Sequence, residues 1–278
     1  PCSRIAGQNK KQVTLADTEI LEKIALTHAK TLTPGICKEN ITVDGLDTIP
    51  FRLLDQIEVG TARLEITQIG KRLGRNKKVE RPKSLECVLN DYGLFARVIT
   101  PGTVKVGDTL AHHLRMLKAT VITLSDRAHA GEYEDLSGPR ISEHLNQFAK
   151  VRHWQSDIET AAIPDDPHLL ERRLQDARHK GMHVVFTTGG TGIGPHDITP
   201  ETVEKIADKT IPGIMEFIRM KYGAKRPAAL LSRGVAAILG TTLIFTLPGS
   251  VRAVDEYMIE ILYSLEHMLP IIEDIDPH

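Results

Sequence analysis

Apolar positions follow a strand-like spacing in the first part of the chain. Apolar and β-branched residues dominate residues 12–16, 61–69 and 94–99, and glycine and proline turn signals separate these stretches. Residues 17–31 instead carry Ile20, Ile24 and Leu21 at helical spacing, which predicts one helix. Strands at short intervals with little helix are typical of a barrel-like β domain.

The pattern changes after Leu117, where short apolar runs alternate with longer amphipathic segments. Predicted strands cover residues 118–124, 151–158, 183–188 and 241–247, and predicted helices cover residues 137–149, 167–180, a segment from Pro200 and residues 250–269. This alternation indicates an α/β fold, in which helices cover a mostly parallel sheet. We therefore expect a three-layer α/β domain over residues 117–278, a β-rich, barrel-like domain over residues 1–111, and a junction at residues 111–118.

Composition and charge narrow the class of partner. The 278 residues include 35 Lys and Arg against 36 Asp and Glu, and the net charge of −1 argues against nucleic acid as the main partner. No apolar run approaches the ~20 residues that span a bilayer, and no signal segment is evident. Cys2, Cys37 and Cys87 are too few and too widely spaced for a disulfide framework. These features predict a cytoplasmic protein with no membrane or nucleic-acid partner.

The strongest local signal is the glycine-rich segment TTGGTGIGPHDIT at residues 187–199. It follows a predicted strand and precedes a helix that has Pro200 in its first turn. Its glycines permit positive φ angles, so that successive backbone N–H groups can line a concave anion site at the carboxyl end of a strand. The alternative is a flexible surface turn.

Two carboxylates lie close in sequence to such a site. Asp197 follows the glycines, and Asp165 and Asp166 follow the predicted strand before the helix at residues 167–180. Two carboxylates beside a phosphate site are what Mg²⁺-assisted nucleotidyl transfer requires. The alternatives are a helix N-cap for Asp166, which we favour, and an Asx turn for Asp197.

Six segments occur in the order and spacing of one known family. They are residues 125–138 (SDRAHAGEYEDLSG), 163–166 (IPDD), 187–201 (TTGGTGIGPHDITPE), 212–219 (PGIMEFIR), 231–233 (LSR) and 247–250 (LPGS). In these segments the chain resembles the MoaB/Mog family, which includes the molybdopterin adenylyltransferases and the related domain of gephyrin. The resemblance covers about 160 residues.

The resemblance implies a trimeric α/β domain that activates molybdopterin with ATP, giving adenylylated molybdopterin and pyrophosphate. It assigns the functional carboxylates, and with them a Mg²⁺ site, to Asp165 and Asp197. It also implies a set of residues that bind the nucleotide and the pterin: Ser125, Asp126, Ser137, Gly138, Thr188, Gly189, Gly190, Thr191, Gly192, Glu216, Ser232, Arg233, Pro248, Gly249 and Ser250.

The N-terminal part resembles a second family linked to the same cofactor. Residues 34–71 and 93–110 are similar to the MOSC domain, named from the C-terminal region of molybdenum-cofactor sulfurases. The family's opening strands are missing before Pro1, which indicates a truncated N-terminus. Cys87 aligns with a cysteine of that family, and it is interpreted either as a sulfur carrier or as a small buried apolar residue. The basic residues 71–83 are interpreted either as a contact for an anionic pterin phosphate or for nucleic acid, or as a solvated loop, which we favour.

The leading hypothesis is a molybdopterin adenylyltransferase with ATP, Mg²⁺ and molybdopterin as its ligands and other molybdenum-cofactor biosynthesis proteins as partners. One alternative is a carrier that holds molybdopterin without turning over ATP. The other is a sulfur-transfer protein led by the MOSC domain.

Overall fold

The computed structural model describes residues 11–28, 35, 37–73 and 85–275 of the chain. The chain divides into two compact units, the first ending at Arg115 and the second beginning at Met116. The predicted junction at residues 111–118 is mostly strand, because Leu110–His113 pairs within the first unit and Met116–Leu124 belongs to the second. His112 and His113, which the sequence places in a linker, therefore lie in a strand.

The first unit is built on a six-stranded sheet. Its elements are β1 (Val13–Asp17), α1 (Thr18–His28), β2 (Ile41–Val43), β3 (Gln56–Val59), β4 (Ala62–Ile69), α2 (Leu85–Tyr92), β5 (Leu94–Thr100) and β6 (Leu110–His113). The strand order is β2-β1-β5-β4-β3-β6, and every pair except β1–β2 is antiparallel. The three predicted strands and the predicted helix are confirmed, and Ile20, Leu21 and Ile24 of α1 are buried in the core.

The second unit holds a six-stranded sheet with helices on both faces. Its elements are β7 (Met116–Leu124), α3 (Asp126–His129), α4 (Ser137–Val151), β8 (Gln155–Ile163), α5 (Pro167–His179), β9 (Val184–Thr188), α6 (Thr199–Ile206), β10 (Lys209–Thr210), α7 (Pro212–Gly223), β11 (Ala236–Leu239), β12 (Thr242–Leu247) and α8 (Val251–Ile272). The order is β10-β11-β12-β9-β7-β8, in which the last four strands are mutually parallel and β10 and β11 are antiparallel.

Successive side chains of the central strands point to opposite faces of the sheet, and each face has its own hydrophobic core. In β7, Ala119 and Val121 pack under α4, α7 and α8, whereas Ile122 and Leu124 pack under α5 and α6. The predicted three-layer α/β fold with a mostly parallel sheet is confirmed. No helix within the described part of the chain is both long and apolar enough to cross a membrane.

One predicted strand of this unit is misplaced. The sequence assigns residues 151–158 to a strand, but Val151 still belongs to α4 and β8 begins at Gln155. The helix ends in a turn in which His153 has a φ of 54° and the Trp154 N–H donates to the Ala149 carbonyl oxygen. Trp154 then packs edge-on against Phe148, so this aromatic residue closes the helix instead of starting a strand.

Candidate functional site

The predicted site segments meet at one edge of the second sheet. The parallel strands β7, β8, β9 and β12 end there, and each is followed by one of the segments. Because the strand order is β12-β9-β7-β8, the glycine-rich loop after β9 lies between Pro248, which follows β12, and Ser125, which follows β7. Asp165 follows β8, one strand further along. The carboxyl edge of a parallel sheet is the usual ligand-binding edge of such folds.

The glycine-rich loop is fixed tightly against its neighbours. Gly189 has a φ of 100°, and a Cβ atom there would lie 2.2 Å from the Leu124 carbonyl oxygen. Gly190 has a φ of 62°, and its Cβ would lie 2.5 Å from Thr199 Oγ1. Both positions therefore require glycine. Thr188 and Thr191 are buried on either side of this pair, so the start of the loop is not a flexible surface turn.

The two predicted carboxylates both face this loop. A Cβ on Gly190 would lie 3.5 Å from Asp165 Oδ1, and a Cβ on Gly192 would lie 2.7 Å from Asp197 Oδ2. The Asp197 carboxylate also accepts the Gly194 N–H at 2.7 Å, so the turn that we considered as an alternative role for Asp197 is present as well.

The Asp165 carboxyl group lies in an unfavourable electrostatic environment. Burial raises its pKa, and the negative charges of Asp126 and Asp197 raise it further, against the opposing effect of the Asp126 N–H and of His196. Asp126 and Asp165 also exchange hydrogen bonds, with the Asp165 N–H donating to Asp126 Oδ1 at 3.1 Å and the Asp126 N–H donating to Asp165 Oδ2 at 3.4 Å. A cation between these carboxylates would relieve their repulsion.

Asp165 and Asp197 can bind Mg²⁺ only together with oxygen atoms of the substrate or of water. Among the residues described, no three His, Cys, Asp or Glu side chains are grouped so that they could hold a metal ion. Mg²⁺ often binds through one or two carboxylates together with water and substrate phosphate oxygens. Asp165 and Asp197 fit that mode of binding, and they do not form a metal site of protein ligands alone.

A cavity of about 370 Å³ opens beside the loop. Eight of the predicted residues line it: Gly190, Thr191, Gly192, Asp197, Ser232, Pro248, Gly249 and Ser250. Its other side is formed by residues that the sequence did not single out, including Arg226, Arg252, Glu256 and Tyr257. The Tyr257 hydroxyl donates to Ser232 Oγ at 3.0 Å, and Arg226 and Arg252 both pair with Glu256.

Other predicted residues lie near the loop without lining this cavity. Thr188 is fully buried, and its hydroxyl donates to the Pro248 carbonyl oxygen at 3.0 Å. Gly189 packs against β7, and Ser125 caps α3 by accepting the Ala128 N–H. These residues support the loops of the site.

Three further predicted positions do not line the cavity either. Glu216 is exposed on α7. Ser137 and Gly138 begin α4, where their N–H groups both donate to Asp135 Oδ1 at 3.0 Å. Asp135 lies in the segment 125–138 but was not singled out from the sequence; it also accepts the Thr123 hydroxyl at 2.5 Å and thereby joins α4 to β7. Its position two residues before the first residue of a predicted helix is the sequence signal that marks it as a capping residue.

Models of known protein families match both parts of the chain. A family model described as a probable molybdopterin binding domain matches residues 120–267, which is more than half of the chain. The protein belongs to this family. A second model, that of the MOSC domain, matches residues 3–111. Both resemblances inferred from the sequence segments are thereby confirmed.

Named relatives agree with the family models. The molybdopterin adenylyltransferase of Haemophilus influenzae is 38% identical over 142 residues, which cover 51% of this chain and 71% of the relative. That of Helicobacter pylori is 36% identical, over 55% of this chain and 85% of the relative.

Solved structures show the same fold. The molybdopterin biosynthesis enzyme MoaB of Thermus thermophilus is 33% identical with a TM-score of 0.52, covering 57% of this chain and 98% of that one. The tungsten cofactor synthesizing protein MoaB of Pyrococcus furiosus is 35% identical with a TM-score of 0.51, covering 56% and 97%.

Proposed function

We propose that this protein transfers AMP from ATP to molybdopterin and releases pyrophosphate. The observation that carries the proposal is the convergence of Asp165 and Asp197, from the loops after β8 and β9, on the glycine loop. The named relatives, which are molybdopterin adenylyltransferases, support the same reaction. Asp197 also closes a turn, but Asp165 reaches Gly190 from a neighbouring loop, and two carboxylates at one glycine-rich loop favour nucleotidyl transfer.

In the proposed reaction the loop holds ATP by its phosphates while the cavity beside Ser232 and Tyr257 holds the pterin. The terminal phosphate of molybdopterin forms a bond to the α-phosphorus of ATP as the bond to the leaving pyrophosphate breaks. Mg²⁺, held by Asp165 and Asp197, would neutralise charge on the leaving group. The residues of the chain contribute mainly by positioning the two substrates in line.

The proposal is tested by pyrophosphate release from ATP and Mg²⁺ with and without molybdopterin, in the wild type and in Asp197→Asn. An asparagine still accepts the Gly194 N–H through its side-chain oxygen, so the turn persists while the negative charge is lost. We expect release only with molybdopterin present and a loss of roughly 100-fold or more in the variant, since metal charge stabilisation supplies several kcal/mol.

Asp208→Asn is the matched control, because Asp208 also accepts a glycine N–H, that of Gly240, away from the site. Its activity should equal that of the wild type. Full activity in Asp197→Asn would contradict the carboxylate assignment. Tight binding of molybdopterin without any pyrophosphate release from the wild type would instead support a carrier.

The structure offers less support for sulfur transfer. The side chain of Cys87 and most of the basic residues 71–83 lie outside the described residues. Cys37 is buried, and burial and the charge of Glu39 raise the pKa of its thiol, which keeps it from forming a reactive thiolate at neutral pH.

Assembly into a trimer forms part of the proposal. Phe217 and Met220 of α7 and Ile259 and Tyr263 of α8 expose large apolar side chains, and a cavity of about 410 Å³ lies between these two helices. Clustered apolar exposure of this kind marks a protein contact. We also propose that the protein acts in the cytoplasm with other proteins of molybdenum-cofactor biosynthesis.

A further inference from the structure

Thr199 holds the first two carbonyl groups of the glycine loop. It is the first residue of α6 and is fully buried. Its hydroxyl donates to the Gly189 carbonyl oxygen at 3.0 Å, and its backbone N–H donates to the Gly190 carbonyl oxygen at 3.0 Å. Both carbonyl groups are thereby turned toward the start of α6.

Arg233 holds the next carbonyl groups from another part of the chain. Its backbone N–H donates to the Thr191 carbonyl oxygen at 2.8 Å, and its Nε donates to the Gly192 carbonyl oxygen at 2.6 Å. Its Nη2 donates to the Asp197 carbonyl oxygen at 2.8 Å, and its Nη1 pairs with Glu201 in the first turn of α6. A planar guanidinium group can serve several acceptors in one fixed geometry, which a lysine ammonium cannot.

The N–H groups of the same peptides, unlike their carbonyl groups, have no partner within the described part of the chain. The N–H groups of Gly190, Thr191 and Gly192 donate to no other residue in the described part of the chain, and these three residues line the cavity. Four consecutive carbonyl groups are therefore occupied by protein donors, while three N–H groups remain for a ligand. This polarity suits an anion.

The orientation of these peptide groups has to be fixed by other parts of the protein. Glycine peptides rotate at little steric cost, so a free loop could turn a carbonyl oxygen toward the ligand in place of an N–H. A carbonyl dipole facing a phosphate oxygen is repulsive. The groups that bind the carbonyl oxygens from behind therefore determine whether the loop can bind phosphate.

We propose that Thr199 and Arg233 are positioning residues that fix the orientation of the loop peptides so that N–H groups face the phosphates of the nucleotide. The identity of that ligand rests on the proposed function. The resemblance implied that Arg233 contacts the ligand, but its guanidinium nitrogens bind Gly192, Asp197 and Glu201, so Arg233 acts through the loop.

The test compares Thr199→Val and Arg233→Lys with the conservative Thr199→Ser. Calorimetry measures binding of inorganic pyrophosphate, of ATP with Mg²⁺ and of molybdopterin separately, and hydrogen exchange follows the backbone amides of residues 187–197. We expect about tenfold weaker binding of pyrophosphate and ATP and faster loop exchange in the first two variants, since each loses at least one loop hydrogen bond. Thr199→Ser should keep both close to the wild-type values. Molybdopterin affinity should fall less than pyrophosphate affinity, because most of the cavity is lined by residues outside the glycine loop.

Matched controls separate positioning from a general loss of stability. Thr242, the first residue of β12, is buried, and its hydroxyl donates to the Met182 carbonyl oxygen. It lies at the end of the strands opposite the glycine loop. Arg152 follows the last residue of α4, is half-buried, and pairs with Glu266 through its Nε. Thr242→Val and Arg152→Lys should leave pyrophosphate binding and loop exchange unchanged.

Two results would overturn the inference. One is wild-type pyrophosphate affinity and loop exchange in folded Thr199→Val and Arg233→Lys. The other is an equal loss of pyrophosphate and molybdopterin binding together with a lowered Tm, which would indicate a purely structural role. If the wild type binds pyrophosphate through this loop but forms no adenylylated product, the proposed function fails and the positioning inference stands.

Discussion

At the scale of single residues, the Asp165 carboxyl group lies where its ionised form is unfavourable. Its carboxyl group is partly buried between loops that also carry Asp126 and Asp197, and burial followed by the repulsion of these charges raises its pKa. A carboxyl group whose pKa is raised in the folded state reduces stability once it is ionised. Residues that bind ligands commonly carry such a cost.

Asp165→Asn should therefore separate stability from activity. Near pH 7 we expect its Tm to equal or exceed that of the wild type. This difference should shrink as the pH falls through the raised pKa of Asp165 and vanish below the ordinary pKa of an aspartate, where the group is protonated in both the folded and the unfolded state. Pyrophosphate release should fall by roughly 100-fold or more, because one of the two carboxylates for Mg²⁺ is lost. Thermal unfolding and kinetics across pH measure both effects.

The neighbouring Asp166 provides the control. Its side chain accepts the N–H groups of His168 and Leu169, which is the N-cap that the sequence favoured. Asparagine caps helices about as well as aspartate, so Asp166→Asn should change neither Tm nor activity appreciably. A variant Asp165→Asn that loses stability at pH 7 would show that its charge is stabilising and would contradict this account.

At the scale of elements, the start of α4 depends on one aspartate that also reaches β7. Burial raises the pKa of Asp135, but hydrogen bonds from Gly138, Thr123 and Ser137 outweigh it, so the pKa of this carboxyl group is lowered. The ionised form is thus stabilising, and it ties the N-terminus of α4 to the central strand beneath it.

Asp135→Ala should lower the free energy of unfolding by about 1–2 kcal/mol near neutral pH, as expected for the loss of a helix cap with a further hydrogen bond. The contribution is present above the ordinary pKa of an aspartate and is lost as pH falls through the lowered folded value. Urea unfolding at pH 7 and at acid pH measures the difference. Asp157→Ala, at an exposed position of β8, should leave the free energy of unfolding unchanged. If both variants lost the same amount of stability, the capping role of Asp135 would be contradicted.

At the scale of the whole molecule, the α7–α8 surface predicts self-association. Phe217 is 54% and Tyr263 is 89% exposed, although both are large aromatic side chains. Light scattering coupled to size-exclusion chromatography should show a trimer for the wild type and a monomer for Phe217→Glu, because a charge buried in an interface is costly. Val151→Glu, which alters an exposed apolar residue at the end of α4, should remain a trimer. A monomeric wild type would contradict the assembly.

The sequence by itself determined the elements whose signals are local. Strands β7, β9 and β12 and helices α4, α5 and α8 were predicted because each carries a complete hydrophobic period and clear ends. The order of these elements also implied that the loops after parallel strands meet at one edge. The sequence consequently predicted that the glycine loop, Asp165 and Asp197 lie together.

Only the tertiary structure decided the features that depend on distant partners. The short strands β2, β3, β6 and β11 escaped prediction because three or four residues do not establish a period, and pairing with a neighbour defines them. Arg233 follows the glycine loop by about 40 residues, and nothing local shows that it binds carbonyl oxygens of that loop. Likewise, the exposed position of Glu216 on α7 depends on how that helix packs. Sequence patterns record which face of an element is apolar, whereas hydrogen-bond partners are set by the packing of whole elements.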